Sequence, residues 1–422
     1  MLGVLLCFVL TAASAAGALF VLEALLTCPD RGNIVMLSDV GQRLLGRTGA
    51  TVVLTMQMLN FGLYLPIALL TTAEAFQDFV EPTGATCTNY FIFAVSLVCF
   101  LSTQVRELRN ASALAGVSLF ASLGVAILQL VVVASTLEAM PEAGIGGGGG
   151  GYTPVAVPNE EGDGGGVVAG IEMALALTTC AWAYVPCLLV TELAHEMPER
   201  PERMRRSIFL SAAMNIVVFL AVGIPVAAMW GGDVSDPITK SARWPKEHAA
   251  ARAMSALLAL ANFVAYCLDS VPLARWCQRR FLPEFRGGWG WRDVRSYALA
   301  CCPTFVFAVF ASVFVGQPGG LFTMLAWVTA LTVPALNQIV PAALVLCGKG
   351  TGKVGGTLNG RTQTAVTAAA WCVLAAGVGS LLVCLYGAVG KSANAEVRGP
   401  QVIGCKGWEI YHSNGTVFKG WG

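Results

Sequence analysis

The sequence predicts an all-α, polytopic membrane protein, and three observations carry that expectation. Hydrophobic residues fill 56% of the 422 positions and charged residues only 12%, where a soluble globular domain has about 25% charged residues. Mean hydropathy is accordingly high, at +0.68. Apolar runs near or above the roughly 17 to 25 residues needed to cross a bilayer as helix recur along the chain. Lys and Arg, finally, alternate between the connections that join those runs. A net charge of +1 gives no electrostatic footprint for nucleic acid, whose binders concentrate basic charge on one face.

Ten spans are expected, near residues 2–27, 50–77, 88–105, 111–137, 167–195, 207–230, 249–274, 296–316, 320–347 and 364–390. The odd-numbered connections carry Arg31, Arg43 and Arg47; Arg106 and Arg109; Arg200, Arg203, Arg205 and Arg206; Arg275, Arg279, Arg280, Arg286, Arg292 and Arg295; and Lys349, Lys353 and Arg361. The even-numbered ones carry only Lys240, Arg243 and Lys246. Since Lys and Arg accumulate in cytoplasmic loops, the odd connections are expected inside and the tail at 391–422 outside. The same count starts the first span on the outer side, with Met1 already inside an apolar run and no charged region of the kind a signal peptide needs. A further helix ahead of Met1 would restore a cytoplasmic start, so a truncated chain is expected, with a genuinely reversed start as the alternative.

Residues 141–166, with the Gly146–Gly151 run and Glu160, Glu161 and Asp163, form an outer low-complexity segment too poor in apolar side chains to fold. In the outer tail, Asn414-Gly415-Thr416 is a glycosylation acceptor pattern. Asn110-Ala111-Ser112 has the same pattern but faces the cytoplasm. Of the fourteen Cys residues, most sit inside spans as small apolar fillers. Cys87 and Cys405 fall in outer segments, where an oxidising compartment permits a disulfide.

No motif points to catalysis, cofactor binding or a metal. Gly348-Lys349-Gly350-Thr351-Gly352-Lys353 fails as a phosphate loop at both ends, with Cys347 in the leading glycine position and Val354 after the lysine. His195, His248 and His412 are too scattered for a metal site or a hydrolase dyad.

The chain is organised around residues 167–206. There an apolar run is interrupted by Tyr184-Val185-Pro186 and closed by the charged segment from Glu199 to Arg206. A proline in this position removes a backbone donor and frees a carbonyl one turn earlier. At membrane depth such a group is tolerated only where a neighbouring helix, water or a ligand satisfies it. Thr178, Thr179, Cys180, Trp182 and Tyr184 ahead of the break suit a substrate pocket, although kinked membrane helices without a pocket also exist. Among the polar residues inside spans, Glu23, Glu74, Glu172, Glu192 and Arg252 lie close enough to span ends to snorkel, and Asp269 is similarly near an end. Asn60, Asn215, Asn337 and Gln338 add uncharged polar groups. Asn262 and Tyr266, one helical turn apart, make a better pocket face.

Trp182-Ala183-Tyr184-Val185-Pro186, followed by Glu192-Leu193-Ala194-His195-Glu196-Met197-Pro198 and by Pro201 and Met204, resembles the sixth-helix signature of the amino acid/auxin permease family. Residues 2–27 with the turn from Gly41 to Gly49 look like that family's second helix and first cytoplasmic loop. Asn60-Phe61-Gly62-Leu63-Tyr64 looks like its third helix, and Tyr266 to Pro272 like the end of its eighth. The resemblance implies an eleven-helix carrier of two inverted five-helix repeats plus one extra helix, of which the ten spans would be helices two to eleven; the missing first helix is the one that carries a Gly-rich break and supplies half the substrate site. It implies a substrate site lined by Thr178, Thr179, Cys180, Trp182 and Tyr184 from the broken helix, by Asn262 and Tyr266 from the eighth, and by Asn60 from the third. Trp182 and Tyr184 either gate that site or pack against a neighbouring helix. The break departs from the family's usual glycines, and Cys187 replaces a polar residue; bulkier residues there would narrow the pocket toward small neutral amino acids.

The expected function is therefore secondary active transport of amino acids by alternating access, coupled to a proton or sodium gradient, in a plasma, vacuolar or endosomal membrane. The competing expectation is a carrier-like scaffold, nutrient sensor or inactive truncated product.

Overall fold

The computed structural model describes residues 2–28, 34, 36–80, 88–103, 112–138, 174, 184–196, 201–230, 245, 247–282, 290–315, 318–350 and 360–394. Within them every regular element is helical. In order these are α1 (Leu2–Thr27), α2 (Leu37–Leu44), α3 (Gly46–Val80), α4 (Thr88–Ser102), α5 (Ser112–Glu138), α6 (Cys187–Glu196), α7 (Pro201–Trp230), α8 (Ala249–Phe281) and α9 (Trp291–Val315). There follow α10 (Pro318–Pro334), a π-helical turn (Ala335–Ile339), α11 (Val340–Gly350) and α12 (Gly360–Asn394).

Among the described residues, eight stretches are long and apolar enough to cross a membrane. They lie in α1, α2–α3, α5, α7, α8, α9, α10–α11 and α12, and α4 is a shorter apolar helix. The chain is an all-α, multi-pass membrane protein. The run near 167–195 is described only at Ala174 and from Tyr184 onward. Residues 141–166, Cys87, Cys405, Asn414 and the tail beyond Asn394 lie outside the described residues.

Burial sorts the helices into a centre and a lipid-facing rim. Two-thirds (67%) of the apolar window of α1, and the same share of that spanning α10–α11, is buried, against 11% of that in α7. Phe120, Phe209, Leu210, Val306 and Leu382 are exposed. Apolar area of that extent marks an interaction surface on a soluble protein; on a spanning helix it faces lipid tails.

The first connection differs from the simple turn expected between Gly41 and Gly49, because α2 occupies it. Leu37, Val40 and Leu44 bury one face of this short helix, while Gln42 stays exposed. The Met36 N–H donates to the Asp39 carboxylate at 3.0 Å, satisfying one of the donors that a helix start leaves open. Gly46, at φ +76°, turns the chain from α2 into α3 through a left-handed conformation that suits glycine.

Ion pairs bring the arginine-rich connections onto one face. Arg205 Nε, at the start of α7, donates to Glu23 Oε1 near the end of α1 at 2.9 Å. Arg279 near the end of α8 lies 3.8 Å from Asp39 of α2. Arg275 Nη1 of α8 donates to Glu192 Oε2 of α6 at 2.8 Å. At the other end of the antiparallel α3 and α8, Arg252 donates to the Phe79 carbonyl at 3.1 and 3.2 Å. Glu23, Glu192 and Arg252 thus have specific partners, where position in the sequence suggested only snorkelling.

Burial separates the worth of these pairs. Glu192 is 1% exposed, and removing one partner of a buried pair costs about 3–5 kcal/mol. The Glu23–Arg205 pair is 44% and 42% exposed, in the range where pairs contribute about 0–1 kcal/mol. Glu192→Ala is therefore expected to lower the thermal unfolding temperature in detergent markedly, and Glu23→Ala to leave it almost unchanged.

Candidate functional site

The helix break sits where the proline requires it. Tyr184 and Val185 are non-helical, Pro186 forms a turn, and α6 begins at Cys187. Inside the new helix start, Leu189 N donates to Pro186 O at 3.2 Å. The Tyr184 carbonyl, by contrast, leaves its own segment for a partner and accepts from Asn337 Nδ2 at 3.1 Å.

Asn337 belongs to the π-helical turn, whose cause is also proline. Pro334 ends α10, and Pro341 follows the turn. In a regular α-helix the Asn337 carbonyl would accept from the N–H of residue 341, which proline lacks. The turn instead closes a wider ring, with Val340 N donating to Ala335 O. The Cys187 thiol donates toward the Asn337 carbonyl at 3.5 Å and toward the Ser14 carbonyl of α1 at 3.8 Å. Cys187 is thus a weak donor bridging three segments, and more than the apolar filler its type suggested.

Three elements therefore meet at one buried junction: the break, the π turn and α1. The approach of α1 is close. A Cβ on Gly17 would stand 1.9 Å from the Asn337 carbonyl oxygen, so only a residue without one fits there. Asn337 is 0% and Gln338 2% exposed, and Asn337 Oδ1, Gln338 Oε1 and Thr329 Oγ1 have no hydrogen-bond partner among the described residues. Unpaired acceptors this deeply buried are rare in folded proteins and call for a role.

The residues expected to line a pocket divide into three groups. Thr178, Thr179, Cys180 and Trp182 lie outside the described residues. Tyr184 and Asn60 are brought to the junction. The Tyr184 hydroxyl lies 3.0 Å from the Ile208 carbonyl and 2.8 Å from Ser211 Oγ, both on α7. Asn60 of α3 donates to Thr332 Oγ1 at 2.8 Å, on the last turn of α10 before the π segment. Asn262 and Tyr266 are not joined to the break by any hydrogen bond among the described residues. Tyr266 is buried on α8 within electrostatic range of Cys99 on α4 and Cys301 on α9.

Residues 1–382 match the family described as transmembrane amino acid transporter protein. The chain belongs to that family. No curated protein matches it. In this member of the transmembrane amino acid transporter family, two spans bring irregular backbone to one junction, where the Tyr184 and Asn337 carbonyls each accept a side-chain hydrogen bond. Asn337, Gln338, Thr332, Ser14 and Gly17 are the members that sequence reasoning left out of the site. Their signal was the pair of prolines, Pro334 and Pro341, bracketing two amides inside an apolar run.

Two substitutions test the junction by stability alone. Gly17→Ala is expected to destabilise the transporter by about 1–3 kcal/mol through overpacking, whereas Gly62→Ala, with nothing within 4 Å, leaves it unchanged or slightly raised. Asn337→Ala strands the Tyr184 carbonyl and is expected to cost about 1–3 kcal/mol. Unfolding of purified protein followed by intrinsic fluorescence measures all three.

Proposed function

We propose that this transporter is a secondary carrier that moves small neutral amino acids by alternating access, driven by a proton or sodium gradient. One observation carries the reading: the free carbonyl at the Tyr184–Pro186 break is bonded by the side chain of a second irregular segment, the π turn of another span. Irregular backbone at membrane depth is stable only when protein or a cavity satisfies it, and a discontinuous helix near the midplane is where such carriers address substrate.

The chemistry of an amino acid fits these groups. Its carboxylate is stabilised at the N-terminus of α6, where backbone N–H groups and the helix dipole converge. Its ammonium group finds acceptors in the buried amide oxygens of Asn337 and Gln338. Val185 and Cys187 leave less room than glycine would, which favours small side chains. Neutral oxygens such as those of Asn337, Gln338 and Thr329 suit a sodium ion, while the buried carboxyl of Glu192 on α6 and the carboxyl of Asp269 on α8 are groups able to carry a proton.

Alternating access requires the halves of the broken helix to move against the remaining helices. In this structure the Glu192–Arg275 pair fastens α6 to α8 on the arginine-rich face, so opening that face separates the pair. The transport cycle thus includes loss and recovery of one buried ion contact.

The deciding experiment is uptake of a panel of labelled amino acids into proteoliposomes under an imposed proton or sodium gradient. Gradient-dependent uptake of small neutral amino acids is expected, with only one of the two gradients supporting it. Asn337→Ala, normalised to the amount reconstituted, is expected to lower uptake about tenfold or more, the scale of one buried hydrogen bond lost. Silence under both gradients, or an unchanged Asn337→Ala rate, overturns the reading.

A further inference from the structure

We infer that the transporter carries a second binding site, for the phosphate headgroup of an anionic lipid, in a cavity on its arginine-rich face. The cavity measures about 380 Å³ and lies between α2, the first turns of α3 and the end of α8. That volume falls within the roughly 300–1,000 Å³ typical of small-molecule clefts. The cavity shares no lining residue with the junction of α1, the break and the π turn, and the transport reading plays no part in the argument.

The lining is strongly cationic. Arg47, Arg279 and Arg280 contribute three guanidinium groups, and Asp39 is the one carboxylate among the lining residues. Asp39 is engaged twice over, accepting from Met36 N at 3.0 Å and lying 3.8 Å from Arg279. Arg47 and Arg280 make no side-chain hydrogen bond or ion pair among the described residues and are both exposed. The start of α3 adds the positive end of a long helix dipole. Three convergent guanidinium groups with two free forks recognise the oxygens of a phosphate ester, which arginine binds bidentately.

The cavity's level in the membrane identifies the source of that phosphate. Trp276 lines it and stacks edge-on against Phe281 at 6.0 Å, and Phe281 is 67% exposed. Tryptophan at the end of a spanning helix marks the headgroup layer. The Lys and Arg distribution assigns this face to the cytoplasmic leaflet, the one rich in anionic lipid, where basic pockets between spanning helices take such headgroups. A lipid phosphate is therefore delivered at the right depth without leaving the bilayer.

The test uses the purified full chain in phosphatidylcholine nanodiscs, with and without a phosphatidylinositol phosphate, reading retained lipid by native mass spectrometry. Arg47→Gln and Arg280→Gln, which break no ion pair seen here, are each expected to lower retention about fivefold, and together on the order of twenty-fivefold, from the contribution of one basic side chain near a charged leaflet. The double variant Arg203→Gln/Arg206→Gln, on exposed arginines outside the cavity, is expected to retain lipid as the unmodified protein does. Retention unaffected by Arg47→Gln and Arg280→Gln, or lowered equally by the control, overturns the site. In a further arm, inorganic phosphate and a soluble inositol phosphate are added to phosphatidylcholine-only discs; binding as tight as that of the lipid reassigns the ligand to a free phosphate ester and overturns the lipid.

Discussion

A backbone carbonyl freed inside a bilayer has nowhere to turn but the protein, and the centre of this structure is the answer to that constraint. Pro186 and Pro341 each remove a donor from a spanning segment, and each leaves the chain with polar backbone that lipid cannot satisfy. The two defects are placed so that they serve one another. The side chain of Asn337 bonds the carbonyl of Tyr184, and the thiol that opens α6 turns back toward the carbonyl of Asn337. Gly17 completes the arrangement by letting α1 approach the same carbonyl.

Around this polar centre the charged residues have a separate task. Glu23, Asp39 and Glu192 each engage an arginine from another connection, which gathers several arginine-rich loops onto one face. Only Glu192 is deeply buried, so only there does the bond carry large energetic weight. The exposed pairs align the face without fixing it. The face thus combines one strong fastening with several weak ones.

Much of this was legible in the sequence because it rests on length, composition and proline. The all-α membrane class follows from apolar runs and scarce charge, and the break at Tyr184–Pro186 follows from a single ring that cannot donate a hydrogen bond. The family is legible in the aromatic, proline and acidic pattern from Trp182 to Met204. What escaped was partnership. Asn337 reads as one polar residue among several until the fold shows which carbonyl it faces, and Glu192 reads as a snorkelling carboxylate until Arg275 is found beside it. Tyr266, one turn from Asn262, is buried on α8 and shares no hydrogen bond with the break among the described residues. The short helix α2 was missed because its apolar residues, Leu37, Val40 and Leu44, are too few to stand out between two spans.

The Tyr184 hydroxyl reaches out of the break to the Ile208 carbonyl and Ser211 on α7, a helix that is otherwise mostly in contact with lipid. The bond makes the outermost helix and the innermost backbone one mechanical unit. A displacement of α7 large enough to break it would leave a buried phenol unpaired, at about 1–3 kcal/mol. Together with the Arg205–Glu23 pair, this hydroxyl ties α7 to the centre, so a load that bilayer thickness or lateral pressure places on α7 reaches the irregular backbone through it.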